Sequence, residues 1–220
     1  MNLQTNVEKS SFPEKLCHNN QIFLMGSCFT ESIGEKLRSA KFNINCNPFG
    51  IIYNPVSIQN SFEILENNKN FTQDDLFNEK GVWKSFYHHS RFSDTDLNTT
   101  LDNINKCLSV SHDFLQKTDY IFITLGTSWI YEHIEKNIIV SNCHKTPASK
   151  FTRRLLTLTE IIGSINSIID ISKRINPHIK IIFTVSPVRH LKDGHHANTV
   201  SKSLLFSALH NIQEKNSNIF

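Results

Sequence analysis

The sequence predicts an α/β fold with a mainly parallel sheet, and three apolar runs are the main evidence for it. Residues 21–25, 120–125 and 180–185 are short, continuous and rich in β-branched and aromatic side chains, as expected of strands that are covered on both faces. A helical pattern precedes each of the last two runs. Strands that alternate with helices at this spacing are typical of a sheet built from parallel crossovers.

The first half of the chain predicts two helices. One begins near Thr30, directly after the first strand, and presents Ile33, Leu37 and Ala40. The next is opened by Asn54-Pro55, because proline is well suited to the first turn of a helix. Between residues 129 and 140 we expect a small hairpin or excursion from the main sheet.

Two longer segments repeat apolar side chains at helical spacing. The first segment ends around Lys117. In the second, Thr157 and Glu160 have the spacing of a capping box, and Asn176-Pro177 ends the helix. The apolar positions are Leu97, Leu101, Ile104, Leu108 and Leu115 in the first segment, and Leu158, Ile161, Ile162, Ile165, Ile168, Ile169 and Ile175 in the second.

Composition excludes several classes of protein. The chain has 220 residues, of which 39% are hydrophobic, so it can bury a core as one large domain or two small ones and is not disordered throughout. A net charge of +3 with no block of Lys or Arg does not predict a nucleic-acid partner. No stretch approaches the roughly 18 consecutive apolar residues of a membrane span.

The N-terminus and the cysteines indicate a cytoplasmic protein. Residues 1–11 form a polar tail without the apolar region of a secretory signal, and we assign residues 12–220 to one domain. The five cysteines are scattered and form no C-x-x-C motif. We therefore expect free thiols in a reducing compartment.

Small and polar segments follow each of the three predicted strands. They are residues 26–30 (GSCFT), 126–129 (GTSW) and 186–190 (SPVRH). In an open parallel sheet, the ligand crevice lies beyond the carboxyl ends of the strands. We therefore expect these segments to converge at one edge of the sheet and to form a site there.

Ser27 is the candidate nucleophile at this edge. Between a strand and a helix we expect its hydroxyl to be exposed, and the helix amides and dipole would stabilise a developing oxyanion. The G-x-S-x-G motif is absent from the sequence. The alternative is that Ser27 is only a helix N-cap. The neighbouring Cys28 is either a rival nucleophile or a buried structural cysteine.

Several ordered motifs carry a family resemblance. The segment from Ile22 to Arg38 contains Gly-Ser-Cys-Phe-Thr. Further segments are 47–55 (NPFGIIYNP), 85–92 (SFYHHSRF), 126–129, 141–145 (SNCHK), 151–156 (FTRRLL) and 183–190 (FTVSPVRH). From about Phe12 to its end the chain resembles the GSCFA domain family, which is named for Gly-Ser-Cys-Phe-Ala, with Thr30 in place of the alanine.

This family is similar to the SGNH, or GDSL-like, hydrolases, which are esterases of three-layer α/β/α, flavodoxin-like fold that need no cofactor. The resemblance implies that Ser27 is the nucleophile and that the backbone N–H groups of Ser27 and Gly50 bind the oxyanion. Thr127 stands where these hydrolases have an asparagine donor, and a hydroxyl can also donate a hydrogen bond. The implied activity is hydrolysis of a small-molecule or carbohydrate ester, including O-acyl groups on carbohydrate.

The base that would activate Ser27 is the open question. In these hydrolases an Asp-x-x-His near the C-terminus follows the last strand. Asp193 and His196 have that spacing but lie too early in the chain, so the resemblance implies a domain that lacks its last strand and its C-terminal block. Either Asp193 with His196, or His190, replaces the usual pair, or the domain is a catalytically impaired or non-catalytic binding remnant. His88 or His89 is expected to line the pocket or to cap a turn.

The remaining polar and aromatic groups are weaker candidates. We predict no metal site, because adjacent pairs are poor chelates; these pairs are His88-His89, Cys143-His144 and His195-His196. Arg153-Arg154 binds an anionic group of the substrate or is solvated surface charge. The aromatic residues Trp83, Phe86 and Tyr87 line a pocket or belong to the core. A missing last strand would leave an exposed sheet edge, which favours self-association.

Overall fold

The computed structural model describes residues 14–189 and 193–214, and its centre is a four-stranded parallel sheet. Across the sheet the strands are β2 (Asn43–Cys46), β1 (Gln21–Gly26), β5 (Tyr120–Leu125) and β9 (Lys180–Val185). Every neighbouring pair is parallel. The three predicted strands are therefore confirmed, and β2, whose side chains are partly polar, joins them at one edge.

Within the described residues, five α-helices flank this sheet. They are α1 (Cys28–Ser39), α2 (Pro55–Glu66), α3 (Leu97–Leu115), α4 (Leu158–Ile175) and α5 (Gly194–Gln213). The first four are confirmed, although α1 begins at Cys28 rather than near Thr30. The predicted capping box of α4 is present, since Glu160 N–H donates to Thr157 Oγ1 and Thr157 N–H donates to Glu160 Oε2. We did not predict α5.

Two small antiparallel sheets complete the described elements. One has the order β7-β6-β8, formed by β6 (Trp129–His133), β7 (Ile138–Val140) and β8 (Phe151–Leu155). The other pairs β3 (Phe77–Glu79) with β4 (Val82–Lys84). The hairpin expected between residues 129 and 140 is confirmed as β6 and β7, and β8 extends it to three strands.

Helices on both faces of the main sheet make this a three-layer α/β/α fold. The crossover from β1 to β2 runs in the opposite direction to the crossover from β5 to β9, so right-handed connections place α1 and α4 on opposite faces. Ile161, Ile165 and Ile168 of α4 are fully buried in the same core as Ile121 and Ile123 of β5. Their helical spacing produces this apolar stripe. In residues 14–189 and 193–214, no helix is long and apolar enough to cross a membrane.

The strand register brings the three predicted site segments together. Gly26 of β1 is opposite Thr124 of β5, and Thr124 is opposite Thr184 of β9. The segments that follow these strands therefore leave the sheet at the same edge, as expected. This edge carries the candidate site.

Candidate active site

Ser27 lies in the turn from β1 to α1, and its hydroxyl is buried. The residue is 1% exposed, and its Oγ has no hydrogen-bond partner among residues 14–189 and 193–214. The expectation of an exposed hydroxyl is therefore wrong. The physical reason is close packing on β5, because a Cβ on Gly26 would lie 2.3 Å from the carbonyl oxygen of Thr124, and Ser27 N–H donates to that oxygen at 3.1 Å.

Ser27 holds the N-cap position of α1 without capping the helix through its side chain. The N-cap alternative therefore describes the backbone but leaves the hydroxyl without a structural task. Cys28 begins the helix and is exposed, so the expectation of a buried structural cysteine is wrong.

Asn47 supports the turn from the end of β2. Its side-chain oxygen accepts a hydrogen bond of 2.8 Å from Gly26 N–H, and the residue is fully buried. The Asn47 Nδ2 and the Thr30 Oγ1 are also buried without a partner in the described structure. Thr30 N–H donates to the Ser27 carbonyl at 2.9 Å, so Thr30 belongs to the same turn. The unpaired polar side chains around this turn are therefore those of Ser27, Thr30 and Asn47. Buried polar atoms are usually paired, so this cluster has unused hydrogen-bonding capacity.

The predicted oxyanion donors already have acceptors within the protein. Gly50 N–H donates to the Asn47 carbonyl at 2.8 Å, and Thr127 N–H donates to the Tyr53 carbonyl at 3.1 Å. The Thr127 hydroxyl lies 3.1 Å from Ser201 Oγ and also accepts from Trp129 N–H. The oxyanion role of Ser27, Gly50 and Thr127 stays a prediction.

A cavity of about 440 Å³ brings Thr127, His89 and Asp193 together. Tyr53 and Trp129 add aromatic rings to its wall, and polar side chains come from Asn54, Ser141 and Asn142. Ser27 and His196 are not among its lining residues. A larger cavity of about 520 Å³ lies between α2 and β7; Tyr87, one of the weaker aromatic candidates, lines it, whereas Ser27, Thr127 and Asp193 do not.

Asp193 is paired with an arginine rather than with His196. Its Oδ1 lies 2.6 Å from Arg153 Nη2, and the Arg153 guanidinium lies 4.0 Å from the centre of the Trp129 ring. His196 is exposed in the first turn of α5, and its side chain forms no hydrogen bond or ion pair with the described residues. The structure therefore does not form the Asp193/His196 pair, and His190 lies outside the described residues.

The two arginines have different surroundings, and binding of an anionic substrate group by either one stays a prediction. Arg153 lines the cavity, whereas Arg154 forms a surface ion pair with Glu160 at 2.8 Å. The aromatic trio belongs to the protein interior, since Phe86 is buried and Trp83 and Tyr87 pack against the core. None of the three lines the 440 Å³ cavity.

His89 is half-buried on the cavity wall, and its position is fixed by the backbone. Its N–H donates to the Phe49 carbonyl at 2.7 Å, and its Nδ1 accepts from Arg91 N–H at 3.3 Å. His89 therefore lines the pocket and also caps a turn, as expected. When Nδ1 accepts, the neutral ring carries its hydrogen on Nε2 and is a donor at that atom.

His88 and His144 form a separate buried pair around Ser85. His88 Nδ1 lies 2.9 Å from Ser85 Oγ, and His144 Nε2 lies 2.7 Å from the Ser85 carbonyl. Burial lowers the pKa of His88 to about 3 and also lowers the pKa of His144. Both rings are neutral and structural at physiological pH. In the described ranges, no group of three or more His, Cys, Asp or Glu side chains could hold a metal ion.

Sequence reasoning missed Lys202, which lies on α5 and reaches the strand ends. Its Nζ donates to the Gly126 carbonyl and, at 2.8 Å, to the Ser186 carbonyl. Burial lowers the pKa of Lys202, whereas the charge of Cys28 acts to raise it. Lys202 could have been found from the sequence only by predicting α5, because the helix places this lysine at an inward-facing position. The helix itself was not predicted.

The preceding residue, Ser201, joins α5 to the loop after β5. Its Oγ accepts from Ser128 N–H at 2.8 Å, and its carbonyl accepts from the Ser128 hydroxyl at 2.6 Å. Two successive residues of α5 therefore fix the Gly126-Thr127-Ser128 segment.

Comparison with known proteins places this arrangement in a family. A search of curated proteins and a search of solved structures each found no match to the chain. The model of the GSCFA family matches residues 21–220, a span that includes Ser27, Gly50, Thr127 and Lys202. The chain therefore belongs to the GSCFA family.

Proposed function

We propose that the protein is a hydrolase of ester bonds and that Ser27 is its nucleophile. The observation that carries this proposal is the unused hydroxyl of Ser27 at the carboxyl end of β1, which neither caps α1 nor bonds to another side chain in the described structure. A serine kept at this edge of a parallel sheet, at the start of a helix, is in the place where such sheets bind ligands.

The proposed reaction proceeds through an acyl-enzyme. Ser27 Oγ attacks the acyl carbon of the ester and loses its proton to a base, and the alcohol leaves with a proton. Water then attacks the acyl carbon, releases the acid and restores the hydroxyl. Because Ser27 is 1% exposed, the residues packed around it have to move for the acyl group to reach Oγ.

The 440 Å³ cavity supports an ester on a carbohydrate as the substrate. Tyr53 and Trp129 provide aromatic rings, and Ser141 and Asn142 are polar residues of the same wall. This mixture fits a molecule with apolar ring faces and many hydroxyl groups. Thr127 joins the cavity to the strand-end loops.

A second function, ester binding without cleavage, is favoured by the state of the candidate bases. Asp193 is occupied by Arg153, and Nδ1 of His89 is occupied by Arg91 N–H. In residues 14–189 and 193–214, no side chain is hydrogen-bonded to Ser27 Oγ. A protein with this cavity and no working base would hold the same ligand unchanged.

Turnover of p-nitrophenyl acetate separates the two functions. The wild-type protein, Ser27→Ala and Ser32→Ala are compared, since Ser32 is an exposed serine in the same helix. Hydrolysis that Ser27→Ala abolishes and Ser32→Ala retains supports the enzyme. Equal, background rates in all three variants would contradict the enzyme and favour the binding protein. Cys28→Ala identifies any turnover that depends on the neighbouring thiol.

A further inference from the structure

Arg153 and Asp193 bring opposite charges to the wall of the 440 Å³ cavity. Both residues line the cavity, and Arg153 Nη2 lies 2.6 Å from Asp193 Oδ1. Arg153 belongs to β8 and Asp193 directly precedes α5, so the ion pair joins two elements that are distant in sequence. The two side chains are 33% and 14% exposed, so most of the pair is withdrawn from solvent.

The pair uses only a small part of its hydrogen-bonding capacity. A guanidinium group has five N–H donors, and a carboxylate has about four acceptor sites. Within residues 14–189 and 193–214, the bond from Nη2 to Oδ1 is the only hydrogen bond that either side chain forms. A partly buried ion pair is stable only when its remaining donors and acceptors are also satisfied. Water or a ligand in the cavity therefore has to supply those partners.

Aromatic rings hold the guanidinium group in place. It lies 4.0 Å from the centre of the Trp129 ring and 5.6 Å from the centre of the Tyr131 ring, and both residues line the same cavity. Contact with aromatic rings restrains a guanidinium group, and the ion pair fixes its direction. The unused donors and acceptors therefore have set positions, so binding of a matching ligand costs little side-chain entropy.

The charges of this pair select against ions. When His89 is neutral, Arg153 and Asp193 are the two charged residues among the described residues that line the cavity. An anion that approaches Arg153 is repelled by Asp193, and a cation that approaches Asp193 is repelled by Arg153. A neutral ligand that offers both a donor and an acceptor meets neither repulsion.

Hydroxyl groups on adjacent carbon atoms have this combination. One O–H donates to the carboxylate of Asp193, and the neighbouring hydroxyl oxygen accepts from an unused N–H of Arg153. Because the two charged groups are in direct contact, two adjacent hydroxyl groups can reach both of them at once. Hydrogen bonds to charged groups are also stronger than those between neutral groups.

We propose that Arg153 and Asp193 form a subsite for a vicinal diol and that the ligand is a neutral carbohydrate or another polyol. The role of the subsite rests on the proposed function: in ester hydrolysis it holds the alcohol part of the substrate. Asp193 then recognises the substrate instead of orienting a catalytic base.

Two small ring compounds test the subsite without requiring catalysis. One is the cis-cyclohexanediol with adjacent hydroxyl groups, and the other is its isomer with the hydroxyl groups on opposite carbons. Binding to the wild-type protein is followed through the indole resonances in a nitrogen–proton NMR spectrum. The chain has two tryptophans, of which Trp129 lines the cavity and Trp83 does not.

We expect the adjacent diol to shift the Trp129 resonance and to leave the Trp83 resonance unchanged. Its affinity should exceed that of the opposite diol by about tenfold or more, the effect of one additional hydrogen bond to a charged group. The two isomers have the same ring and the same number of hydroxyl groups, so apolar contact with the cavity cannot produce this difference.

Two substitutions each remove one half of the pair. Arg153→Met removes the guanidinium group, and Asp193→Ala removes the carboxylate without loss of a capping bond, because the Asp193 side chain does not cap α5. Each variant should lose the preference for the adjacent diol. Arg154→Met is the matched control and should keep the preference, since Arg154 is the next residue of β8 and pairs with Glu160 outside the cavity.

Equal affinity of the wild-type protein for the two isomers would overturn the diol subsite, and this comparison needs no variant to fold. A preference for the adjacent diol that persists in both Arg153→Met and Asp193→Ala would also overturn it. Tighter binding of cyclohexanecarboxylate than of the adjacent diol would assign the pair to an anion instead.

The two proposals fail separately. A preference for the adjacent diol that depends on Arg153 and Asp193, without any Ser27-dependent turnover of p-nitrophenyl acetate, removes the esterase and leaves the diol subsite. Ser27-dependent turnover, with equal binding of the two isomers, leaves the esterase and removes the diol subsite.

Discussion

Gly50 and His89 pack so closely that a Cβ on residue 50 would lie 2.2 Å from the Cβ of His89. Gly50 also has a φ of +82°, a conformation that strains other residues. Its N–H bonds to the carbonyl of Asn47, whose side chain supports the turn before Ser27. This contact therefore links the cavity wall to the turn that carries the candidate nucleophile.

Replacing Gly50 should destabilise the fold. Gly50→Ala adds left-handed backbone strain of about 1–2 kcal/mol to a steric overlap with His89, so we expect a loss of at least about 2 kcal/mol in the free energy of unfolding in urea. Gly163→Ala is the matched control, because Gly163 lies within α4 and a methyl group added there would meet no atom within 4 Å. The control should gain about 0.5–1 kcal/mol. Equal midpoints for the two variants would contradict the packing of Gly50 against His89.

The hydrogen bond from Ser128 to Ser201 should contribute to stability through a buried amide. Ser201→Ala removes the oxygen that accepts from Ser128 N–H at 2.8 Å, so we expect a cost of about 1–3 kcal/mol for the unsatisfied donor. Ser203→Ala changes an exposed serine of the same helix and should stay within about 0.5 kcal/mol. Urea titrations of both variants check the difference, and an unchanged midpoint for Ser201→Ala would show that α5 does not hold this loop.

Acid should weaken the fold through His88. Burial lowers its pKa from 6.5 to about 3 in the folded protein, so between these values the unfolded chain binds a proton that the folded chain does not. The stabilisation is complete above pH 6.5 and is lost as the pH falls toward 3, by up to about 1.4 kcal/mol per pH unit for one proton. Unfolding free energies measured from pH 7.5 to 4 test this slope.

His88→Phe is the control for that pH dependence. The ring of His88 stacks on Phe49 with 4.8 Å between centroids, so phenylalanine retains an aromatic contact without a titrating nitrogen. The free energy of unfolding should depend less on pH in this variant. Part of the dependence should remain, because burial also lowers the pKa of His144. A slope equal to that of the wild type would assign the acid sensitivity to other groups.

The cysteines should react in an order set by burial. Burial raises the pKa of Cys46 and of Cys143 to about 11 from 9.0, which lowers their thiolate fraction roughly a hundredfold near pH 8. Cys28 is exposed at the start of α1. Peptide mapping after brief treatment with iodoacetamide should find Cys28 modified before the other two. Modification of Cys143 at the same rate would contradict its burial.

The sequence predicted the parts of the fold that follow from apolar patterning. β1, β5 and β9 are continuous apolar runs, and α4 has both an apolar stripe and a capping box. The convergence of the strand ends followed from parallel topology alone. Elements whose stability depends on tertiary contacts were missed: β8 carries Arg153 and Arg154 in the middle of a short strand, and α5 mixes Ser, Asn and His into its apolar pattern.

The candidate site, too, could be predicted from the sequence only where local pattern determines it and not where tertiary contacts do. Ser27 and Thr127 were predicted as site residues from their place after strands, and Thr127 and His89 line the 440 Å³ cavity, whereas Ser27 does not. The burial of the Ser27 hydroxyl depends on how closely Gly26 approaches β5, which no local pattern encodes. The sequence also could not predict that Asp193 pairs with Arg153, because the two residues are 40 positions apart in the chain.

Covalent labelling of the protein by a fluorophosphonate probe tests whether Ser27 is the nucleophile. Such a probe reacts with an activated serine, and the modified residue can be located by mass spectrometry of the digested protein. We expect a single adduct on Ser27 that is lost in Ser27→Ala and retained in Ser32→Ala. A protein that remains unlabelled, or one labelled elsewhere with Ser27 intact, would contradict the assignment of Ser27 as the nucleophile.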